Sequence, residues 1–226
     1  MIEPPDELVL AGPHPKIFQG GLVVYADPST NQPTNIIVFQ YNPETLSRGL
    51  APQAEPNPRQ NAGDTQHALP PLETYSLAVE LDAADQLEIE DSTAIASGLH
   101  PALAALELLL YPSSAVMIDQ EKKYAQGTSL IQPGRIPLVI FVWGSKRVVP
   151  VRITSLTITE QAFDRNLNPV RAKVDLRLST LTNAELQRAG GSFRDLALTH
   201  LQGKEQIASK DLTSGTAQNL RSLVPF

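Results

Sequence analysis

Residues 170–178 alternate between apolar and polar side chains without interruption, and this pattern limits the fold more than any other stretch. Successive side chains of a β-strand point to opposite faces of its sheet. The pattern therefore predicts a strand over residues 170–181 with one apolar and one polar face. The apolar positions are Val170, Ala172, Val174, Leu176 and Leu178, and the polar positions are Arg171, Lys173, Asp175 and Arg177.

Two further strands are predicted immediately before this one, at residues 137–143 and 147–163. In the second, the alternation slips by one residue near Thr154 and Ser155, which predicts a β-bulge or a bend there. Turn-forming residues at 164–169 predict that the last two strands form an antiparallel hairpin. A strand of about fifteen residues spans roughly 50 Å. We therefore expect the hairpin to bend or to extend into the sheet of a neighbouring subunit.

The rest of the chain up to residue 111 supplies more strands and one helix. Residues 21–26 and 35–41 predict a hairpin, because the residues between them are turn formers. Residues 74–82 alternate again and predict another strand. Residues 99–111 predict the main helix, ended by a proline and, from its scarcity of polar residues, buried on most sides.

Two segments are too polar or too rich in proline to predict a packed element. Residues 1–19 contain four prolines and the acidic residues Glu3, Asp6 and Glu7, and we expect them to be extended. Residues 47–71 are rich in Pro, Gln, Asn and Ala, and their composition predicts a long disordered loop.

The composition changes near Thr182. Residues 183–189 and 192–202 predict weak, polar helices separated by two glycines. We therefore divide the chain into a β domain at 1–182, which includes the loop 47–71, and a helical or partly disordered extension at 183–226.

No pattern in the sequence predicts catalysis, a cofactor or a metal site. The chain has no cysteine, so thiolate sites and disulfides are excluded. It contains no phosphate-binding glycine-rich loop and no nucleophile-elbow motif. The acidic stretch 82–91 lacks the residue order of a calcium loop and is interpreted as a solvated loop. The histidines lie apart from one another and from carboxylate pairs; they are His14, His67, His100 and His200.

The polar face of the strand at 170–181 leaves three interpretations open. It is a solvated outer face, a nucleic-acid surface, or a polar wall that faces water inside an assembly. A nucleic-acid surface would carry more positive charge than this one, which has Asp175 in its middle, and the net charge of the chain is −6. Trp143 is interpreted as a core or interface aromatic rather than as a ligand platform.

Six sequence blocks, taken in order, resemble the tube protein family of contractile injection systems, the phage-tail-like particles that drive a rigid tube through a target envelope. The resemblance covers about residues 18–181 and is closest to the adaptor, or tube initiator, between inner tube and baseplate. The blocks are FQYNPETL at 39–46, YSLAVELDA at 75–83, GLHPALAALELLLYP at 98–112, VWG at 142–144, VPVRITSLTITEQAFD at 149–164 and LNPVR at 167–171.

The resemblance implies a mainly β, α+β fold. It would be a two-sheet β-sandwich or barrel of the phage-tail-tube type, with one main helix, a long bent hairpin and the polar helical extension. Six copies would close into a ring that connects the inner tube to the baseplate hub or spike. The face made by Arg171, Lys173, Asp175 and Arg177 would then line the lumen.

The implied role is structural rather than enzymatic, without nucleic-acid binding or membrane insertion. The implied partners are further copies of the chain, the inner tube, the baseplate hub or spike, and the sheath. Synthesis and assembly would be cytoplasmic, in a particle that is then released or anchored. Many adaptor members continue into a peptidoglycan-binding LysM module, but no such sequence follows Thr182. A bulk tube subunit and a β-sandwich that binds a ligand beside Trp143 remain as alternatives.

Overall fold

The computed structural model describes residues 19–53, 69–127 and 134–211. Its seven strands form one antiparallel sheet in the order β2-β1-β5-β6-β7-β4-β3. The predictions for residues 1–18, for the middle of the loop 47–71 and for the end of the extension lie outside the described residues. The strands are β1 Gly21–Tyr25, β2 Asn35–Val38, β3 Leu46–Gln53, β4 Leu69–Asp82, β5 Leu138–Val142, β6 Val148–Phe163 and β7 Pro169–Thr180.

The central hairpin forms as the sequence predicts. β6 and β7 are antiparallel, and their register shifts between Ile153 and Ser155, where the alternation slips. This bulge keeps Ile153 and Leu156 facing the same apolar side as β7. The hairpin of β1 and β2 and the strand at 74–82 are also confirmed.

The sheet curls over its own apolar face. Tyr75 of β4 and Phe141 of β5 belong to strands that are not neighbours, yet their ring centroids lie 5.4 Å apart. Near the end of β2, the Gln40 side chain donates to the carbonyl of Asp82 and accepts from its N–H, at 2.8 and 2.9 Å. Strands from opposite ends of the strand order are thereby joined around one core.

The predicted bounds of the loop, residues 47–71, are wrong at both ends. Residues 47–53 belong to β3, and residues 69–71 begin β4. β3 lies at the edge of the sheet and most of its residues are exposed, so it has no apolar alternation to reveal it.

The expectation of one main helix is also too simple, because the described residues contain six α-helices. The solvated loop expected at 82–91 contains α1, and Asp91 caps α2 by accepting from the N–H groups of Thr93 and Ala94. No single helix among the described residues is long and apolar enough to cross a membrane. Only α3 and α4 together, bent by 48° between them, meet the criteria of length and composition for a span. The helices are α1 Ala84–Glu88, α2 Ser92–Ser97, α3 His100–Glu107, α4 Ser114–Ala125, α5 Asn183–Ala189 and α6 Gly191–Asp211.

α3 packs on the core along one face only, not on most sides as the sequence suggests. Leu103 and Leu106 are buried, and Leu109 joins them from the 3-10 turn Leu108–Leu110 that continues the helix. Leu108 is 61% exposed on the other side.

α5 and α6 cover the outer face of β1 and β5. Leu186 and Phe193 form a second buried cluster with Leu138 and Ile140 of β5. The ring of Phe193 meets that of Tyr25 edge to face, with centroids 5.1 Å apart. The extension is therefore helical through Asp211 and packs on its own sheet through Leu186 and Phe193, while the domain boundary near Thr182 stays a prediction.

Candidate functional site

The four polar residues proposed for the lumen project from one side of β7. Their apolar neighbours Val174, Leu176 and Leu178 are buried in the core on the other side. Arg171, Asp175 and Arg177 are exposed, and Lys173 is half-buried. The structure therefore places the four together on one surface of the sheet.

Acidic residues of β4 balance the cations of this surface. The Arg171 guanidinium donates two hydrogen bonds to Asp82 Oδ2, at 2.9 and 2.7 Å. The N–H of Ala84, together with Arg171, holds the pKa of the Asp82 carboxyl below its usual value. Lys173 lies opposite Glu80 in the register and 4.0 Å from Asp175. Three cations and three carboxylates thus share the surface, which we call the polar face.

Arg152, on the same side of the sheet, is used differently. Its Nη1 lies 2.6 Å from Glu185 Oε1, and Glu185 forms a reciprocal capping box with Thr182 at the start of α5. Burial favours the neutral carboxyl of Glu185, but the hydrogen bonds from Thr182 and the Arg152 charge together lower its pKa. Arg152 therefore fixes α5 to the sheet and stands at the border of the polar face.

The two edge strands form a second candidate surface. β2 and β3 end the strand order, so each pairs with a single neighbour among the described strands. Ile36 and Val38 of β2 are 59% and 52% exposed, and Leu50 of β3 is 52% exposed. Free strand edges with apolar side chains are templates for pairing with another chain.

A buried polar cluster joins the sheet to α6. Glu73 of β4 accepts a hydrogen bond from the Tyr75 hydroxyl at 2.7 Å and pairs with the Lys204 ammonium of α6. His200, one helical turn before Lys204, places its Nε2 3.8 Å from Glu73 Oε1. Nε2 is buried and has no hydrogen-bond partner. The cluster therefore holds α6 across one end of the curled sheet.

The charges of this cluster depend on one another. Burial favours the neutral carboxyl of Glu73, but hydrogen bonds from Lys204 and Tyr75 hold its pKa below the usual value. Burial, followed by the hydrogen bond to Glu73, raises the pKa of Tyr75 far above its usual value. Burial and the Lys204 charge lower the pKa of His200. The stable arrangement at neutral pH is an ionised Glu73 beside a neutral His200.

Sequence reasoning missed this cluster because it treats His200 as isolated. Glu73 is separated by 131 residues from Lys204, and no local pattern joins them. Two signals were present: Glu73 occupies an apolar-side position of β4, and His200 and Lys204 share the i, i+4 spacing of one helix face.

Trp143 is half-buried and its ring stacks on Phe141 with centroids 6.0 Å apart, as expected of a core or interface aromatic. Within residues 19–53, 69–127 and 134–211, no three His, Asp or Glu side chains converge as metal ligands would.

A family model described as "Contractile injection system tube protein" matches residues 20–189, about three quarters of the chain. The match covers the whole sheet and α5, and it ends before α6. No curated protein matches the chain.

Proposed function

Because the chain belongs to the contractile injection system tube proteins, we propose that it is a subunit of a hexameric ring that joins the inner tube to the baseplate hub or spike. The observation that carries this proposal is the pair of edge strands. β2 and β3 lie at opposite ends of one sheet and expose apolar side chains. Pairing β2 of one copy with β3 of the next would give the backbone N–H and C=O groups of both edges hydrogen-bond partners, and repetition of that step closes a ring.

In such a ring, the polar face would line the lumen. Arg171, Lys173, Asp175 and Arg177 carry balanced charge with Glu80 and Asp82, so the wall would be hydrated without attracting one sign of cargo strongly. The curled sheet would correspond to the two packed sheets of the tube-type fold, with the long β6–β7 hairpin in the wall.

α6 favours the adaptor over a bulk tube subunit. It lies beyond the residues that match the family, and it covers one end of the curled sheet. A subunit that only stacks on identical copies gains little from a helix of 21 residues there. We propose that α6 marks the side of the ring that meets the hub or spike, with the sheath as a further neighbour.

The proposed role is structural, without catalytic activity. The particle that contains the ring would be assembled in the cytoplasm and then released or anchored.

Electron microscopy of the purified full-length protein tests the proposal. We expect rings with a central hole and sixfold symmetry, and tubes of defined length only when the inner-tube protein is added. Long tubes of this chain alone would identify it as a bulk tube subunit. A monomer at every concentration in light scattering would contradict the ring.

A matched pair of variants tests the edge pairing. Val38→Lys places a charge on the exposed edge of β2 and should abolish rings, because lysine on an edge strand blocks pairing. Ile89→Lys replaces an exposed apolar residue between α1 and α2, away from the sheet edges, and should leave rings intact. Equal behaviour of the two variants would exclude the β2 edge from the ring contact.

A further inference from the structure

A cationic cleft of about 430 Å³ lies between α6, β3 and the turn that joins β5 to β6. The turn contributes Lys146 and Arg147, and α6 contributes Lys204. The remaining lining residues are Arg48, Trp143, His200, Ile207 and Ala208.

The charge of the cleft is strongly one-sided. Lys204 is paired with Glu73, which leaves three cationic side chains around the opening. Across the described part of the chain, those of Arg48, Lys146 and Arg147 have no carboxylate partner. The Arg147 guanidinium lies 5.7 Å from the centroid of the Tyr75 ring. Such a concentration of positive charge on a chain of net charge −6 attracts an anionic group.

His200 lines the cleft and carries a buried polar atom without a hydrogen-bond partner. His200 is only 9% exposed, and its Nε2 has no hydrogen-bond partner. Buried polar atoms of this kind are normally satisfied by a partner or a ligand. The cleft therefore offers three cations without a carboxylate partner and the aromatic wall of Trp143, with the buried, unpaired Nε2 of His200 beside them.

The chain itself enters the sheet beside this wall. Gly20 is packed so closely on Trp143 that an added Cβ would lie 2.6 Å from Trp143 Cε3. The preceding residues contain the sequence Glu3-Pro-Pro-Asp-Glu7, whose three carboxylates are near two prolines. Glu7 lies twelve positions before Gln19, and a chain of that length can extend about 40 Å, so this sequence can reach the cleft.

We propose that the cationic cleft binds the acidic segment Glu3–Glu7 of the same chain. The carboxylates of Glu3, Asp6 and Glu7 pair with the free cations, and the prolines stack on Trp143, as proline-rich segments do on aromatic grooves. The short tether makes this pairing intramolecular, at a high effective concentration. The inference goes beyond the proposed ring function and does not depend on it.

Trp143 is the only tryptophan in the chain, so its fluorescence reports occupancy of the cleft. The experiment measures acrylamide quenching in the full-length protein and in the triple variant Glu3→Gln, Asp6→Asn, Glu7→Gln. Loss of three exposed ion pairs should shift the ratio of occupied to open clefts by about tenfold. Quenching should therefore rise in the variant. Quenching of the wild type should also rise at 1 M salt, because the Debye length falls to about 3 Å and the ion pairs are screened.

A control variant carries the same change in net charge elsewhere. Asp85→Asn, Glu88→Gln, Glu90→Gln alters the stretch at α1 and should leave quenching as in the wild type. Lys146→Glu should open the cleft, and combining it with Glu7→Lys should restore protection of Trp143.

Three results would overturn the proposal. The first is equal quenching in the wild type and the triple variant, and the second is an equal effect of the triple variant and its control. The third is failure of Glu7→Lys to restore protection of Trp143 when it is combined with Lys146→Glu. Protection that grows with protein concentration would place the segment of a second copy in the cleft and overturn the intramolecular assignment.

Discussion

The outward face of the sheet is built in two different ways. Over β1 and β5, the outward side chains are apolar, among them Tyr25, Leu138 and Ile140, and α5 and α6 cover them. Over β7 and β4, the outward side chains form the polar face and remain largely open to water. One sheet therefore carries a covered half with apolar outward side chains and an open half with polar ones.

The two halves of the sheet contribute differently to the stability of the fold. The covered half removes apolar surface from water, which stabilises the fold. Exposed charges on the open half contribute little to the free energy of unfolding, because water already solvates them. The open half can therefore change with little effect on folding, and four predictions test this division.

The largest effect is expected beneath the open half. Val174 is fully buried in the core behind the polar face. Val174→Asp should destabilise the protein by about 5 kcal/mol or more, because it buries an unpaired carboxylate. Thermal melts should show no cooperative transition. A folded variant with a near-normal melting temperature would show that the core on this side is loosely packed.

The next effect concerns the covered half. Phe193→Ala should cost about 3 kcal/mol, because it leaves a cavity between α6 and the sheet. Hydrogen exchange over residues 191–211 should accelerate. Leu198→Ala, also on α6 but 48% exposed, is the matched control and should cost less than about 1 kcal/mol. Similar losses in the two variants would contradict the distinction between the buried and exposed sides of α6.

A smaller effect is expected from pH, through the cluster that holds α6. His200 has a pKa below 6.5 in the folded state, so the unfolded state binds more protons as the pH falls below 6.5. Stability is therefore lost first in that window. Glu73, whose pKa is also lowered, adds a second loss as the pH falls below 4.5 and the folded carboxylate takes up its proton. The protection of α6 amides from hydrogen exchange, taken relative to the intrinsic exchange rate at each pH, should fall from pH 7 to pH 4.

His200→Gln separates the two windows. It should remove the pH dependence that begins near 6.5 and leave the part below 4.5 that belongs to Glu73. His100→Gln, at the exposed start of α3, is the control and should keep both windows. A profile unchanged by His200→Gln would show that His200 does not set the upper window.

The smallest effect is expected on the polar face itself. Lys173→Ser should change the free energy of unfolding by no more than about 0.5 kcal/mol, because its nearest carboxylate contact is 4.0 Å away and solvated. Ring formation should persist in electron micrographs. Unfolding as severe as that of Val174→Asp would mean that Lys173 is buried and does not face a lumen.

Local patterns in the sequence determined the long hairpin, its bulge and the strand at 74–82. Each depends only on the two-residue period of a strand, which a single stretch of chain displays by itself. The helices at 183–189 and after Gly190 were also visible locally, from helical composition and the two glycines. The polar set Arg171, Lys173, Asp175 and Arg177 was recognised as one surface for the same reason, because strand periodicity alone places it.

Tertiary structure alone decided which surfaces are covered and which distant residues meet. β5 is apolar at every position, so its sequence cannot show that one face meets the core and the other meets Phe193. β3 lacks a pattern because it is an edge strand with few buried side chains. The contacts of Glu73 with His200 and Lys204 depend on where α6 crosses the sheet. Packing energy fixes that crossing through contacts between residues far apart in the chain, and a periodic pattern within one segment carries no information about them.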